Sequence, residues 1–365
     1  MNVKLGKFQN RNGWRIENDV LSIFVMSGGG HIAEIKLRSG PDVNPLWVPA
    51  WQTIEPWQYK QTDAKKYGAK LLSCISGHNI CLGAFGDPSP EEVKAGLGCH
   101  GEAPIARWRL VKKQVSASGV SITCACNLPI AQMKFQRTIT MQKGSFAVKV
   151  REKILSTSRK DQPFTMCQHV TLGPPFLKPE VTVFDMNATK AQTFPGEFGS
   201  GQRLKKGAPF AWPYAPGAKG RRIDIRKLSE KSNSDFTAQL INTSSQHGWF
   251  SAINSELGLL VAYVWDRKDY PWVGNWEENR SRAEKPWKGQ SLARGMEFAN
   301  TPFPTGLRAA VDMGKFQNQP AFSWLPALGR FSTEYSILMK QIEPKHKGVA
   351  DIRPDSGNFD IDFLV

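Results

Sequence analysis

No apolar run in this 365-residue chain approaches the ~20 residues that a membrane-spanning helix requires. That excludes a helical anchor within the sequence, and no membrane partner is expected. The first residues, MNVKLGKFQNRNGW, contain no apolar h-region, so the expectation is a cytoplasmic protein. Long amphipathic patterns are missing too, which removes helical architectures and leaves room for a few short helices. The cysteines, at 74, 81, 99, 124, 126 and 167, form no C-x-x-C pair, so a zinc knuckle is excluded and no metal is expected. Their usage suits a reducing compartment. The glycines of GGGH, 28 to 31, precede no helix and belong to no G-x-G-x-x-G. They read as a turn or bulge before a strand, and no cofactor is expected.

Acidic residues are few beside basic ones, 32 against 48, for a net charge of +16. The basic groups are scattered and short, with RLKK at 203–206 and KGRR at 219–222 the densest. No basic helix or RNA-binding signature accompanies them, so solvated charge is the reading and no nucleic-acid partner is expected. The same charge suits an anionic small ligand.

Period-2 segments are what the chain has in abundance. HIAEIKLR puts Ala33, Ile35 and Leu37 on one face and Glu34, Lys36 and Arg38 on the other. AQMKFQRTITM, SFAVKV and EYSILMKQI alternate likewise, and VSITCACNL places Cys124 and Cys126 on one strand face as small core residues. LGLLVAYVW, apolar on both faces, predicts a central strand between two layers. One short helix is predicted at SPEEVKAG, with Ser89 as N-cap, Pro90 at the first helical position and Glu92 closing a capping box. It leads into GCHGEAPIARW and His100. Residues 193–220, rich in Gly and Pro, read as a functional lid or a mobile excursion. No composition break divides the chain, so residues 1–365 are expected to form a single all-β, mainly antiparallel sandwich.

Three stretches set an ionisable residue among Gly, Pro and aromatic residues at the edge of a strand-like run. They are GCHGEAPIARW with His100, FTMCQHVTLGPPF with His169, and RGMEFANTPFP with Glu297. In this order the sequence resembles the aldose 1-epimerase, or galactose mutarotase-like, superfamily. Its HG motif followed by a tryptophan is matched by His100, Gly101 and Trp108. Its second histidine before a PF stretch is matched by His169 with Pro175 and Phe176, and its late E-x-x-x-x-P by Glu297 and Pro302. GHNICLGAFG resembles a run of the hexose-phosphate epimerase branch, and GGGHIAEIKL with NPLW the opening hairpin of the fold.

The resemblance implies a large β-supersandwich and cofactor-free interconversion of the α and β anomers of a sugar. It implies Glu297 as base, His169 as acid at the ring oxygen and His100 as a helper on a substrate oxygen. HG here continues with Glu102, Ala103 and Pro104, and the nearest arginines are Arg107 and Arg109. The arginine before the first histidine has no match, its region being held by His78 or Asn79. Asp266 and Asp269 are candidates for the sugar-binding aspartate. His78, Glu102, Arg107 and Asp266 therefore enter as substrate-binding candidates. Glu102 has a turn hydrogen bond as its other reading.

The chemistry stands without the resemblance. Exchanging anomers needs one group to take the C1 hydroxyl proton and another to protonate the ring oxygen, with roles reversing after rotation about C1–C2. A glutamate and an imidazole suit those tasks near neutral pH. Of twelve tryptophans, Trp272 and Trp276 in DYPWVGNWEEN are the candidates to stack on a pyranose, with Glu277 and Glu278 beside them read as solvated. If the sugar is anionic, one or more of Arg107, Lys205, Lys206 and Arg280 are expected to face it. A non-catalytic carbohydrate-binding protein on the same fold is the alternative. A hydrolase would need two carboxylates at a set separation, and only Glu297 stands out. The oligomeric state is left open.

Overall fold

The computed structural model describes residues 1–355 and 357–365. Two large sheets carry the architecture, and every strand pairing within them is antiparallel. The first has eleven strands. Its centre runs, in spatial order, His78–Leu82, Met166–Leu172, Leu292–Ala299, Trp272–Asn279 and Asn233–Ile241. The second has eight, with Leu259–Asp266 between His247–Asn254 and Arg330–Gln341, near its middle as the two-sided apolar pattern predicts. The α-helices are Ala64–Tyr67, Pro90–Lys94 and Gly306–Met313. Among the described residues no helix is long and apolar enough to cross a membrane.

Period 2 becomes burial where one face meets water. In Gly119–Leu128 and Met133–Gln142, Ile122, Cys124, Cys126, Phe135 and Ile139 enter the core between the sheets while their neighbours stay outside. The central strands of the first sheet depart from that pattern, because both faces are covered. Met166–Leu172 and Leu292–Ala299 are buried throughout. One face meets the second sheet. The other carries a separate apolar cluster that includes Trp47, Phe85, Phe236, Trp276, Trp287 and Phe303.

The capping box forms as the sequence predicts. Glu92 N donates to Ser89 Oγ at 3.3 Å, and Ser89 N to Glu92 Oε2 at 2.7 Å. GGGH makes its turn with Gly29 and Gly30 at φ 81° and 62°. Residues 193–220 are anchored at more points than an open lid. Arg203 pairs with Asp235 and Glu277, Leu204 N donates to Asp235, and Phe194 and Phe198 lie on Phe236.

Candidate functional site

Neighbouring residues Gln168 and His169 point to opposite faces of the first sheet, as alternation demands. Gln168 enters the core between the sheets. His169 enters the outer face, directly across from Glu297 on one neighbouring strand and from Asn79 on the other. Asn300 N donates to Met166 O at 3.1 Å, which makes that position a hydrogen-bonded pair. Alternation then makes His169 and Glu297 a non-hydrogen-bonded pair, the kind whose side chains stand closest. His169 Nε2 lies 3.2 Å from Glu297 Oε1, and His169 Nδ1 lies 3.0 Å from Thr171 Oγ1.

The row continues to Gly274 and Ala238. A Cβ at Gly295 would fall 2.3 Å from Glu297 Oε1, and one at Gly274 would fall 2.6 Å from the Phe236 ring. Glycine at these positions leaves the volume that the carboxylate occupies.

His100 reaches the same place from the loop after the helix Pro90–Lys94. Its backbone is left-handed, φ 65°, and Gly86 clamps it twice. His100 N donates to Gly86 O at 3.0 Å, and Gly86 N donates to His100 Nδ1 at 3.1 Å. An accepting Nδ1 leaves the proton of the neutral ring on Nε2, so His100 presents a donor. Its ring centroid is 5.1 Å from that of His169. Trp276 stands 5.9 Å from the His169 ring, edge to face.

Glu297 is 2% exposed and His169 4%. Burial pushes the Glu297 carboxyl well above its ordinary range and holds the His169 imidazole down at about 4. His100 is lowered by burial first, then by the charges of His169 and Arg282. No cation pairs with Glu297 among the described residues other than His169 itself.

Several sequence candidates lie elsewhere. His78 is one residue out of phase with Asn79, so it enters the inter-sheet core, where Nε2 meets Gln168 Oε1 at 3.0 Å and Nδ1 faces Tyr263. The Glu102 side chain takes neither its sugar-facing nor its turn reading: it reaches another loop and accepts from Ala131 N at 2.7 Å. Arg107 is exposed and stacks on Trp57, 4.8 Å from the ring centre. Asp266 ends a strand of the other sheet and pairs with Lys268 at 2.9 Å. It lines a groove of about 580 Å³ there that contains neither His169 nor Glu297. Trp272 shares the face of Glu297 but is sealed beneath Phe316.

The expected cations also miss the pair. Lys205 and Lys206 line a shallow cavity with Glu197 and Gly199, Lys206 pairs with Glu197, and Arg280 is exposed. Glu277 and Glu278 are buried instead of solvated, because Arg203 and Arg294 hold the first and Arg282 the second.

Of two further residues on this face, sequence reasoning named Asn79 only as the alternative to His78 and missed Arg282. Asn79 directly flanks His169, and its buried Nδ2 has no hydrogen-bond partner. Arg282 lies 5.5 Å from the Trp276 ring and 4.9 Å from the Trp287 ring. Strand phase would have separated Asn79 from His78. Nothing local marks Arg282, which sits in a loop among other basic residues.

No protein-family model matches the sequence, and no curated protein matches it. Solved structures do. A candidate aldose 1-epimerase from Klebsiella pneumoniae superposes with a TM-score of 0.67 at 11% identity, over 93% of this chain and 82% of that one. A galactose mutarotase-like protein from Clostridium acetobutylicum gives 0.62 at 13%, over 94% and 99%. A galactose mutarotase related enzyme from Lactobacillus acidophilus gives 0.55 at 14%, over 91% and 98%. The fold is the galactose mutarotase-like β-sandwich.

Proposed function

We propose that this protein is a sugar 1-epimerase that exchanges α and β anomers by acid–base ring opening at His169 and Glu297. The observation that carries the reading is the 3.2 Å contact between His169 Nε2 and Glu297 Oε1, a carboxyl and an imidazole side by side on one sheet face. The hydroxyl oxygen and the ring oxygen of a cyclic sugar are bonded to one carbon, so an acid and a base serving both must be close neighbours.

The protons balance within the pair. Carboxylic acid with neutral imidazole, and carboxylate with imidazolium, carry the same number of protons, and burial favours the uncharged form. Transfer across the contact turns one form into the other as substrate charge develops. Glu297 then takes the C1 hydroxyl proton, and His169 gives its proton to the ring oxygen as the C1–O bond opens. After rotation about C1–C2 the roles reverse. His100, donating from Nε2, steadies a substrate oxygen. General acid–base assistance of this kind supplies about 10²–10⁴-fold per group.

A second reading has its own support. Burial favours the uncharged forms of both Glu297 and His169, and a pair that stays uncharged would hold a sugar without turnover. Magnetisation exchange between anomers, by proton NMR over hexoses, hexose phosphates and uronates, separates the two. Acceleration by wild-type protein is expected for at least one sugar. Binding of a sugar with no acceleration of any would leave the binding reading in place.

A further inference from the structure

The polar groups around the acid–base pair are mostly donors. His100 presents Nε2–H, since Gly86 occupies Nδ1. Asn79 Nδ2 and Trp276 Nε1 are buried without partners. Arg282 Nε faces Glu278 Oε2 at 3.3 Å, and its terminal nitrogens make no hydrogen bond among the described residues. Ser234 Oγ, also buried and unpaired, can give or accept. Gly199 lies over this end, where an added Cβ would fall 2.7 Å from Ser234 Oγ and 3.9 Å from Arg282 Nε. The acceptors are fewer, Ser234 Oγ, Asn79 Oδ1 and Glu297, and Glu297 is committed to the anomeric centre.

A hydroxyl set against such a wall satisfies a donor but leaves its own proton unpaired, which is costly in a buried site. A carboxylate only accepts. Arg282 is the cation of this face. Arg282 and His169 both lie against Trp276, at 5.5 Å and 5.9 Å from its ring, so one pyranose ring beside the indole can reach both. Glu278, 1% exposed, already offsets part of the Arg282 charge and is held by Ser281 and by the Arg282 backbone. A singly charged group fits beside that pair better than a doubly charged phosphate.

We propose that the ligand is a sugar acid. Its carboxylate is bound by the terminal nitrogens of Arg282, its ring lies on Trp276, and its anomeric centre meets His169 and Glu297. The placement of the anomeric centre rests on the function proposed above; the Arg282 contact does not.

The test uses the full chain with D-glucuronate, D-glucose and D-glucose 6-phosphate, measuring binding by calorimetry and anomer exchange by NMR. Glucuronate should bind roughly ten- to hundredfold tighter than glucose, the range for a hydrogen bond to a charged group. The preference should shrink with added salt. Arg282→Gln should abolish it and Arg282→Lys restore part of it. Lys205→Gln, on the exposed cavity, should leave it intact. Equal binding of glucuronate and glucose, or a preference that survives Arg282→Gln, would overturn the proposal. Tighter binding of glucose 6-phosphate than of glucuronate would overturn the carboxylate assignment. Arg282-dependent glucuronate binding without exchange would support this inference and sink the enzyme reading. Exchange of glucose with no acid preference would do the reverse.

Discussion

Two glutamates, Glu152 and Glu297, lie almost fully buried on opposite faces of the strand that carries Gln168 and His169, and their surroundings differ in every respect. Glu152 faces the inter-sheet core. Its Oε1 takes Arg137 Nε at 2.6 Å and its Oε2 takes Gln168 Nε2 at 2.5 Å. Gln168 extends the network to His78 and Tyr270. Glu297 faces outward and has one partner, His169, which is itself uncharged at neutral pH. A carboxylate held by a cation and a neutral donor is committed to structure. One that is buried without a cation has a proton it can exchange. Burial raises both carboxyls, so burial alone does not separate them; the missing cation is what sets Glu297 apart as the candidate for proton exchange.

The comparison breaks most visibly in stability. Glu152→Gln leaves Arg137 as an uncompensated buried charge, and about 3–5 kcal/mol of folding free energy should be lost. Urea unfolding at neutral pH measures it. A loss under 1 kcal/mol would mean that Glu152 and Glu297 are energetically alike, and the contrast would fail.

The next effect is in pH. His169 is held at about 4 in the folded protein against 6.5 for the free group. A depressed folded value contributes stability that is present above pH 6.5 and lost as pH falls toward 4. Glu297 has the opposite sign. Its raised value gives stability present below the ordinary carboxyl range and lost as pH rises through the folded value. His169→Asn should therefore flatten the fall in unfolding free energy between pH 6.5 and 4, followed by urea titrations at intervals across that window. An unchanged slope would remove His169 as a buried neutral imidazole.

A smaller effect is expected at the platform. Trp276→Ala should weaken sugar binding with less change in the exchange rate of bound sugar, since stacking serves ground and transition states almost equally. Trp272→Ala, sealed under Phe316, should instead cost about 3–5 kcal/mol of stability. Calorimetric titration and thermal melts of the two variants side by side sharpen the distinction between wall and core.

How far the sequence carried this picture follows the same division. Alternation was enough to expect an antiparallel sandwich, because strand period is written locally; the resemblance carried by the GCHG, CQHV and MEFAN stretches added its mutarotase-like type and the candidates His100, His169 and Glu297, which the fold brings together on one face. The phase of His78 against Asn79 was not, since a fully buried strand has no polar face to count from. Glu102 and Arg107 were chosen for nearness to His100 along the chain, but the turn after Gly101 spends Glu102 on Ala131 N and sends Arg107 to Trp57. Asp266 was chosen as a candidate for the sugar-binding aspartate that the resemblance implies, and it belongs to the other sheet. Arg282 acquires meaning only when its loop folds back over Trp276 and Trp287.

The most direct measurement pairs the two glutamates in one assay. Glu297→Gln keeps the shape of the side chain and removes the proton acceptor. With the best wild-type sugar, its anomer exchange by NMR should fall by roughly two to four powers of ten, while its unfolding free energy at neutral pH stays level or rises. Glu152→Gln, measured under conditions where it is folded, should show the converse: clear loss of stability and far less loss of exchange. Exchange by Glu297→Gln at the wild-type rate, with its fold intact, would contradict the account.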